Sequence, residues 1–167
     1  MSRTQRTGDP ATNPISLADI KAHLRVDVTD EDALIEDYIL AATSWVEEYT
    51  RRAIVTQTWK LILDEWPANE RVILPKGKVQ SVTSIVYANS ATTTTAITTA
   101  QESLISDSEP FVAPAYDESW PEITGVVDPI VITFVAGYAS VGSPLVSSVP
   151  PTLLQAVRVK VADYMER

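Results

Sequence analysis

Cysteine is absent from the 167 residues and histidine occurs once, at His23. A disulfide framework, a thiolate zinc site and a cysteine nucleophile are thereby excluded, as is any multi-histidine metal centre. Glycine is scarce: Gly8, Gly77, Gly125, Gly137 and Gly142 stand far apart, and none precedes a Lys-Ser or Lys-Thr pair. That rules out a Walker-type phosphate loop. The longest apolar run, 130–139, is interrupted by Thr133 and Gly137, and it falls far short of the roughly 20 residues that span a bilayer. No membrane segment is expected. Residues 1–14 are polar, carry Pro10 and Pro14, and lack the apolar stretch of a secretory signal. They read as a flexible N-terminal arm on a protein folded in a reducing cytoplasm.

Positive charge is the remaining scarcity. Thirteen Lys and Arg stand against 22 Asp and Glu, a formal charge of −9, so the surface is not one that grips phosphate backbones. Residues 79–157 contain no Lys or Arg, yet hold Glu102, Asp107, Glu109, Asp117, Glu118, Glu122 and Asp128. A second basic-free interval, 26–50, holds Asp27, Asp30, Glu31, Asp32, Glu36, Asp37, Glu47 and Glu48. Helix-dipole and ion-pair arguments account for most of these: Asp30 to Asp32 open a helix, and Glu47 and Glu48 precede Arg51 and Arg52 by four residues. Of the seven after Asp27, only Glu36 and Asp37 lack a local reason. A solvated acidic face is the default reading; the functional one is a surface that repels nucleic acid or meets a basic partner.

Candidate chemistry is thin. A serine triad needs a histidine base, and His23 lies in a predicted helix four residues after Asp19, the spacing of a surface pair. The carboxylates Asp64 and Glu65 are adjacent on a predicted strand and point to opposite faces. Trp59, Trp66 and Trp120 form either a stacking platform or core and interface anchors. No catalytic, cofactor-binding or metal-binding residue emerges, and neither an enzyme nor a cofactor is expected.

What is present is a pattern of elements. Ser16 has the chemistry of a helix cap, with Asp19 three residues on and Ile15 and Ile20 at the two staple positions, predicting a helix over Leu17–Leu24. A second helix is expected over 29–50. At 100° per residue, Leu34, Ile35, Tyr38, Ile39, Ala41, Ala42, Trp45, Val46 and Tyr49 fall within roughly 160°, and Glu36, Asp37, Thr43, Ser44, Glu47 and Glu48 fall opposite. A helix on one core needs an apolar stripe of about 100°. The excess suits a helix that touches two neighbours, either within a deep core of its own or across a subunit boundary.

Period-two alternation then predicts strands from residue 53, with Val55, Gln57, Trp59, Leu61 and Leu63 on one face. Strands at 71–74 and 79–87 read as a hairpin across Pro75 to Lys78, and a strong strand is expected over 126–135. The Thr-rich segment 88–101 fits a mobile loop or a protruding hairpin tip, the loop being preferred. Pro150 and Pro151 open a C-terminal amphipathic helix. The expected architecture is α+β: two N-terminal helices, a β-rich middle region of about five short strands, and a C-terminal amphipathic helix packing on the long helix. One domain spans 15–167, with a helical part at 15–52 and 149–167 and a β-rich insertion at 53–148.

Four motifs in order carry a resemblance: EDALIEDYILAATSWVEEYTRRAIVTQTW (31–59), LPKGKVQSVTSIVY (74–87), ITFVAGYA (132–139) and VPPTLLQAVRVKVADYMER (149–167). Together they resemble the tailed-phage head-tail connector family, also called adaptor or head-completion proteins, found in prophages and gene transfer agents too. The resemblance implies a structural virion protein, made in the host bacterial cytoplasm. It implies a homo-oligomeric ring of about a dozen copies that meets the portal protein on one side and a tail or stopper protein on the other. DNA would pass through the ring without specific binding. On that basis Tyr38, Ala42, Trp45 and Tyr49 are the expected ring-packing residues, Glu36 and Asp37 the expected channel- or partner-facing acids, and Arg158, Tyr164 and Arg167 the expected portal-side residues of the last helix. The charge alone also fits an acidic DNA mimic that inhibits a nucleic-acid-binding enzyme, and Trp66 and Trp120 fit a tail module that binds sugars.

Overall fold

The computed structural model describes residues 2–7, 10, 12–88, 90, 93–98, 100–103, 109–123, 125, 127–138, 140–141 and 146–166. The chain divides into two compact units, each assembled from two stretches of sequence: Met1–Asp9 with Gln57–Gly137, and Pro10–Thr56 with Tyr138–Arg167. The chain passes from one unit to the other between Asp9 and Pro10, between Thr56 and Gln57, and between Gly137 and Tyr138.

The first unit is built on a five-stranded antiparallel sheet. Its strands run, in spatial order, β1 (Ser2–Arg6), β2 (Gln57–Leu63), β8 (Ile130–Ala136), β4 (Val79–Ala88) and β5 (Thr94–Ile97). The central strand β8 buries every second side chain, Ile130, Ile132, Phe134 and Ala136. These meet Leu63, Leu61, Trp59 and Gln57 across the β2 ladder, and Tyr87, Ile85, Val82 and Val79 across the β4 ladder. Directly opposed pairs share one face of an antiparallel sheet, so this is the core face, and each large apolar side chain withdrawn there contributes about 1.5–3 kcal/mol. Val72, Leu74 and Val112 are buried too, contributed by or beside a smaller sheet of β3 (Val72–Ile73), β7 (Phe111–Pro114) and β6 (Ala100–Ser103).

Several expectations are corrected here. Ser2–Arg6, expected in a flexible arm, pairs with β2 in register from Ser2↔Leu63 to Arg6↔Trp59. The cause is the free edge of β2, whose row of amides and carbonyls is a template on which a second strand can pair. The loop expected near 88–101 contains β5, paired with the end of β4, and the start of β6; residues 89, 91, 92 and 99 of that segment lie outside the described residues. The hairpin expected between 71–74 and 79–87 does not form. β4 has β8 and β5 on its edges, so β3 turns instead to β7, and Leu74 N donates to Pro110 O at 2.8 Å. Ten strands are assigned among the described residues, five of them in the main sheet. The acids of the middle region also sit differently from a uniformly acidic surface: no strand of the five-stranded sheet contains an Asp or Glu. Glu102 lies in β6 of the small sheet, whereas Glu109, Asp117, Glu118, Glu122 and Asp128 occupy connections, Asp128 held 2.9 Å from the Arg3 guanidinium.

The second unit is helical, with α1 (Leu17–Leu24), α2 (Asp32–Thr50), α3 (Pro151–Met165) and a short pair, β9 (Ser140–Val141) with β10 (Val146–Ser147). Ser16 caps α1 as its sequence requires: Asp19 N donates to Ser16 Oγ at 3.1 Å, and the Ser16 hydroxyl donates to Asp19 Oδ2 at 2.7 Å. Ile15 and Ile20, the staple pair, are both buried. α2 starts at Asp32 rather than at Thr29. Asp32 N closes a turn on Thr29 O at 3.1 Å, while Lys21 Nζ bonds both Val28 O and the Asp32 carboxylate. Asp30 and Glu31 therefore precede the first helical turn, and Asp32 alone meets the dipole there. The core gathers Ile20 of α1, Ile35, Ile39, Ala42 and Val46 of α2, and Val157 and Val161 of α3. Ile54, Val55, Tyr138 and Val149 from the connecting segments complete it.

Candidate subunit interface

α2 is wider in apolar surface than its own core can cover. Ile35, Ile39, Ala42 and Val46 are buried, whereas Leu34 and Trp45 are each 45% exposed and Tyr49 is 78% exposed. Tyr38 is half-buried between the two sets. The exposed set recurs at steps of four, three, four and four residues through Leu34, Tyr38, Ala41, Trp45 and Tyr49, which makes it one continuous stripe along the helix. The buried side extends the other way and takes in Thr43 and Glu47, two residues that periodicity alone put on the solvent face. Each is admitted by a specific bond. The Thr43 hydroxyl donates to Ile39 O at 2.7 Å, and Glu47 Oε1 accepts from Ile54 N at 2.7 Å just beyond the helix end.

The stripe is held in place by rings. Trp45 and Tyr49 stack with centroids 5.3 Å apart and planes 7° from parallel. From α3, Lys160 Nζ lies 5.0 Å from the Trp45 ring centroid and 4.7 Å from that of Tyr164, while also bonding Asp163 Oδ2 at 2.6 Å. Tyr164 in turn meets Tyr38 at 5.7 Å. The ammonium is thus partnered by a carboxylate and two rings, which link the aromatic side chains of α2 and α3. Side chains already ordered in the free chain lose little freedom on docking, and Trp and Tyr are the residue types that anchor interfaces.

The expected site residues separate accordingly. Tyr38, Trp45 and Tyr49 share the stripe; Ala42 is fully enclosed by its own chain and so packs the interior. Glu36 and Asp37 are both exposed on α2 but lie roughly 100° apart around it, so they do not form one acidic face. Asp37, with Glu48, borders the aromatic stripe. Tyr164 packs beside Tyr38, whereas the half-buried Arg158 is turned roughly 120° from it around α3. Arg167 lies outside the described residues. Lys160 and Asp163 were not legible as site residues, because their part depends on which face of α3 meets α2; the four-residue step from Lys160 to Tyr164 was the available signal.

A family model described as phage gp6-like head-tail connector protein matches residues 14–113. The chain belongs to that family. The connector is also similar to solved structures. One is a chain of the virion of a native gene transfer agent particle, at 26% identity and TM-score 0.81, covering 98% of the connector and 84% of that chain. Another is a chain of the neck of an empty gene transfer agent particle computed with C6 symmetry, at 24% identity and TM-score 0.84, covering 99% and 84%. A third, from the neck of the native particle computed with C12 symmetry, has 23% identity and TM-score 0.81, covering 99% and 84%. No curated protein sequence matches. The α+β fold with its closing helix on α2 is therefore that of a head-tail connector protein.

Proposed function

We propose that this connector assembles as a homo-oligomeric ring at the head-tail interface of a virion, beneath the portal protein, and extends the passage for DNA toward a tail or stopper protein. The observation that carries the ring is the exposed stripe of Leu34, Tyr38, Trp45 and Tyr49 on the helix that also anchors the unit's core. Family membership and the likeness to chains of particles computed with C6 and C12 symmetry support the same reading. In a ring with head-to-tail contacts, one stripe on each copy meets a different surface of the next, and the circle closes. Its role is structural and non-enzymatic, with DNA sliding past acids such as Asp37 and Glu48, which repel phosphates. The C-terminal helix, which carries Arg158, is the portal-side element.

Native mass spectrometry of the chain with and without its cognate portal tests this directly. A ring of a dozen or so copies, alone or on the portal, is the expected species. A chain that stays monomeric and never binds the portal overturns the proposal.

A further inference from the structure

Two loops of the β-rich unit carry the same dipeptide, Trp66-Pro67 and Trp120-Pro121, and the fold brings them together. The two indoles stack with centroids 4.2 Å apart and planes 5° from parallel. Each indole N–H is spent on the opposite loop: Trp66 Nε1 donates to Pro121 O and Trp120 Nε1 donates to Glu70 O, both at 3.0 Å. This reciprocal clasp forms the wall of an open cleft of about 490 Å³, lined by Glu65, Trp66, Glu70, Trp120, Pro121 and Glu122 among others. The three glutamates are exposed, and no Lys or Arg lines the cleft.

We infer that this cleft receives an arginine side chain from a segment of a partner protein. Three properties select that occupant over a sugar or a base. The indole N–H groups are already bonded to backbone and offer a ligand no donor, whereas carbohydrate and nucleobase edges need donors as well as acceptors. The charged groups of the lining are all carboxylates, which accept from a cation and repel a phosphate, beside the single hydroxyl of Ser119. Half-buried indoles beside exposed carboxylates suit the flat guanidinium, which stacks on an aromatic ring and offers paired donors to a carboxylate. The clasp is fixed before the ligand arrives, so little ordering opposes binding. This inference rests on the cleft alone and stands or falls apart from ring formation through α2.

The test is an NMR titration of the full chain with Nα-acetyl-arginine-N-methylamide, followed at the four Trp indole N–H signals. The citrulline analogue serves as the neutral isostere and maltotriose as the neutral sugar. The arginine compound is expected to shift Trp66 and Trp120 and to leave Trp45 and Trp59 in place. Citrulline should bind about tenfold more weakly, since it keeps the shape and loses the charge. Glu65→Gln and Glu122→Gln should each weaken arginine binding by about two- to fivefold, while the free variants keep both clasp signals. Equal binding of citrulline, comparable shifts at all four indoles, or tighter binding of maltotriose overturns the inference, and each of these is read on the unmutated chain.

Discussion

At the scale of single residues, the second unit depends on a buried carboxylate that looks, in the sequence, like a surface acid. Glu47 is only 4% exposed and accepts the Ile54 amide that would otherwise be orphaned beyond the end of α2. Glu47→Ala is expected to cost about 2–3 kcal/mol in urea denaturation, because it strands that donor and opens a void. Glu47→Gln, whose amide oxygen can still accept, should lose clearly less. A second residue-scale feature works in the opposite sense. Arg25 and Arg51 close α1 and α2 with φ of 59° and 54°, a left-handed conformation that disfavours side chains and is usually given to glycine. Arg25→Gly and Arg51→Gly should each stabilise by about 0.5–1 kcal/mol, read as a rise in melting temperature. Sequence chemistry located Ser16 and its staple because a cap is a local device. It misplaced Glu47 and Thr43 because their burial follows from a chain segment folded over the helix, which no periodicity encodes.

At the scale of elements, the exposed stripe and the core stripe share one helix and can be separated by mutation. Tyr49→Glu should leave the denaturation midpoint of the monomer nearly unchanged, since its side chain is 78% exposed, while Trp45→Glu, at a side chain more than half covered, should lower it modestly without unfolding the chain. Either should abolish ring formation in light scattering, because a carboxylate would be buried in the contact. Leu40→Glu is the control: Leu40 is 48% exposed on the other side of α2, so assembly should survive it. Loss of assembly with Leu40→Glu and retention with Trp45→Glu would move the interface to the opposite face. The over-wide apolar arc is legible in the sequence from Leu34 to Tyr49, and the structure divides it between core and surface. The strands were less legible. β8 announces itself as a short apolar run rich in β-branched residues over Ile130–Ala136, but β1 is a polar run, SRTQR, that becomes a strand only because the edge of β2 receives it. β3 and β4 look like a hairpin locally, and only the competition of β5 and β8 for the edges of β4 decides otherwise.

At the scale of the whole molecule, the charge of −9 becomes a property of the assembly. About twelve copies would bring together on the order of −108, so neighbours must keep most acids in solvent or against basic partner surfaces. Assembly is therefore expected to be weak at low ionic strength and strengthened by moderate salt, which screens repulsion between copies. Light scattering across a salt series checks it; a ring that falls apart on adding moderate salt would contradict the electrostatic account. The two units have a further consequence, one that concerns the order of synthesis. Each is stitched from distant stretches, so α2, ending at Thr50, finds its core partner α3 only from Pro151 onward. A ribosome adding residues at about 5–20 per second takes on the order of 5–20 s to make the intervening hundred. Through that interval the nascent chain presents Ile35, Ile39 and Val46 with no α3 to cover them. The hazardous species for this protein is then the half-made chain, and coexpressed chaperones that act on nascent chains should raise its soluble yield more than agents that stabilise the finished fold.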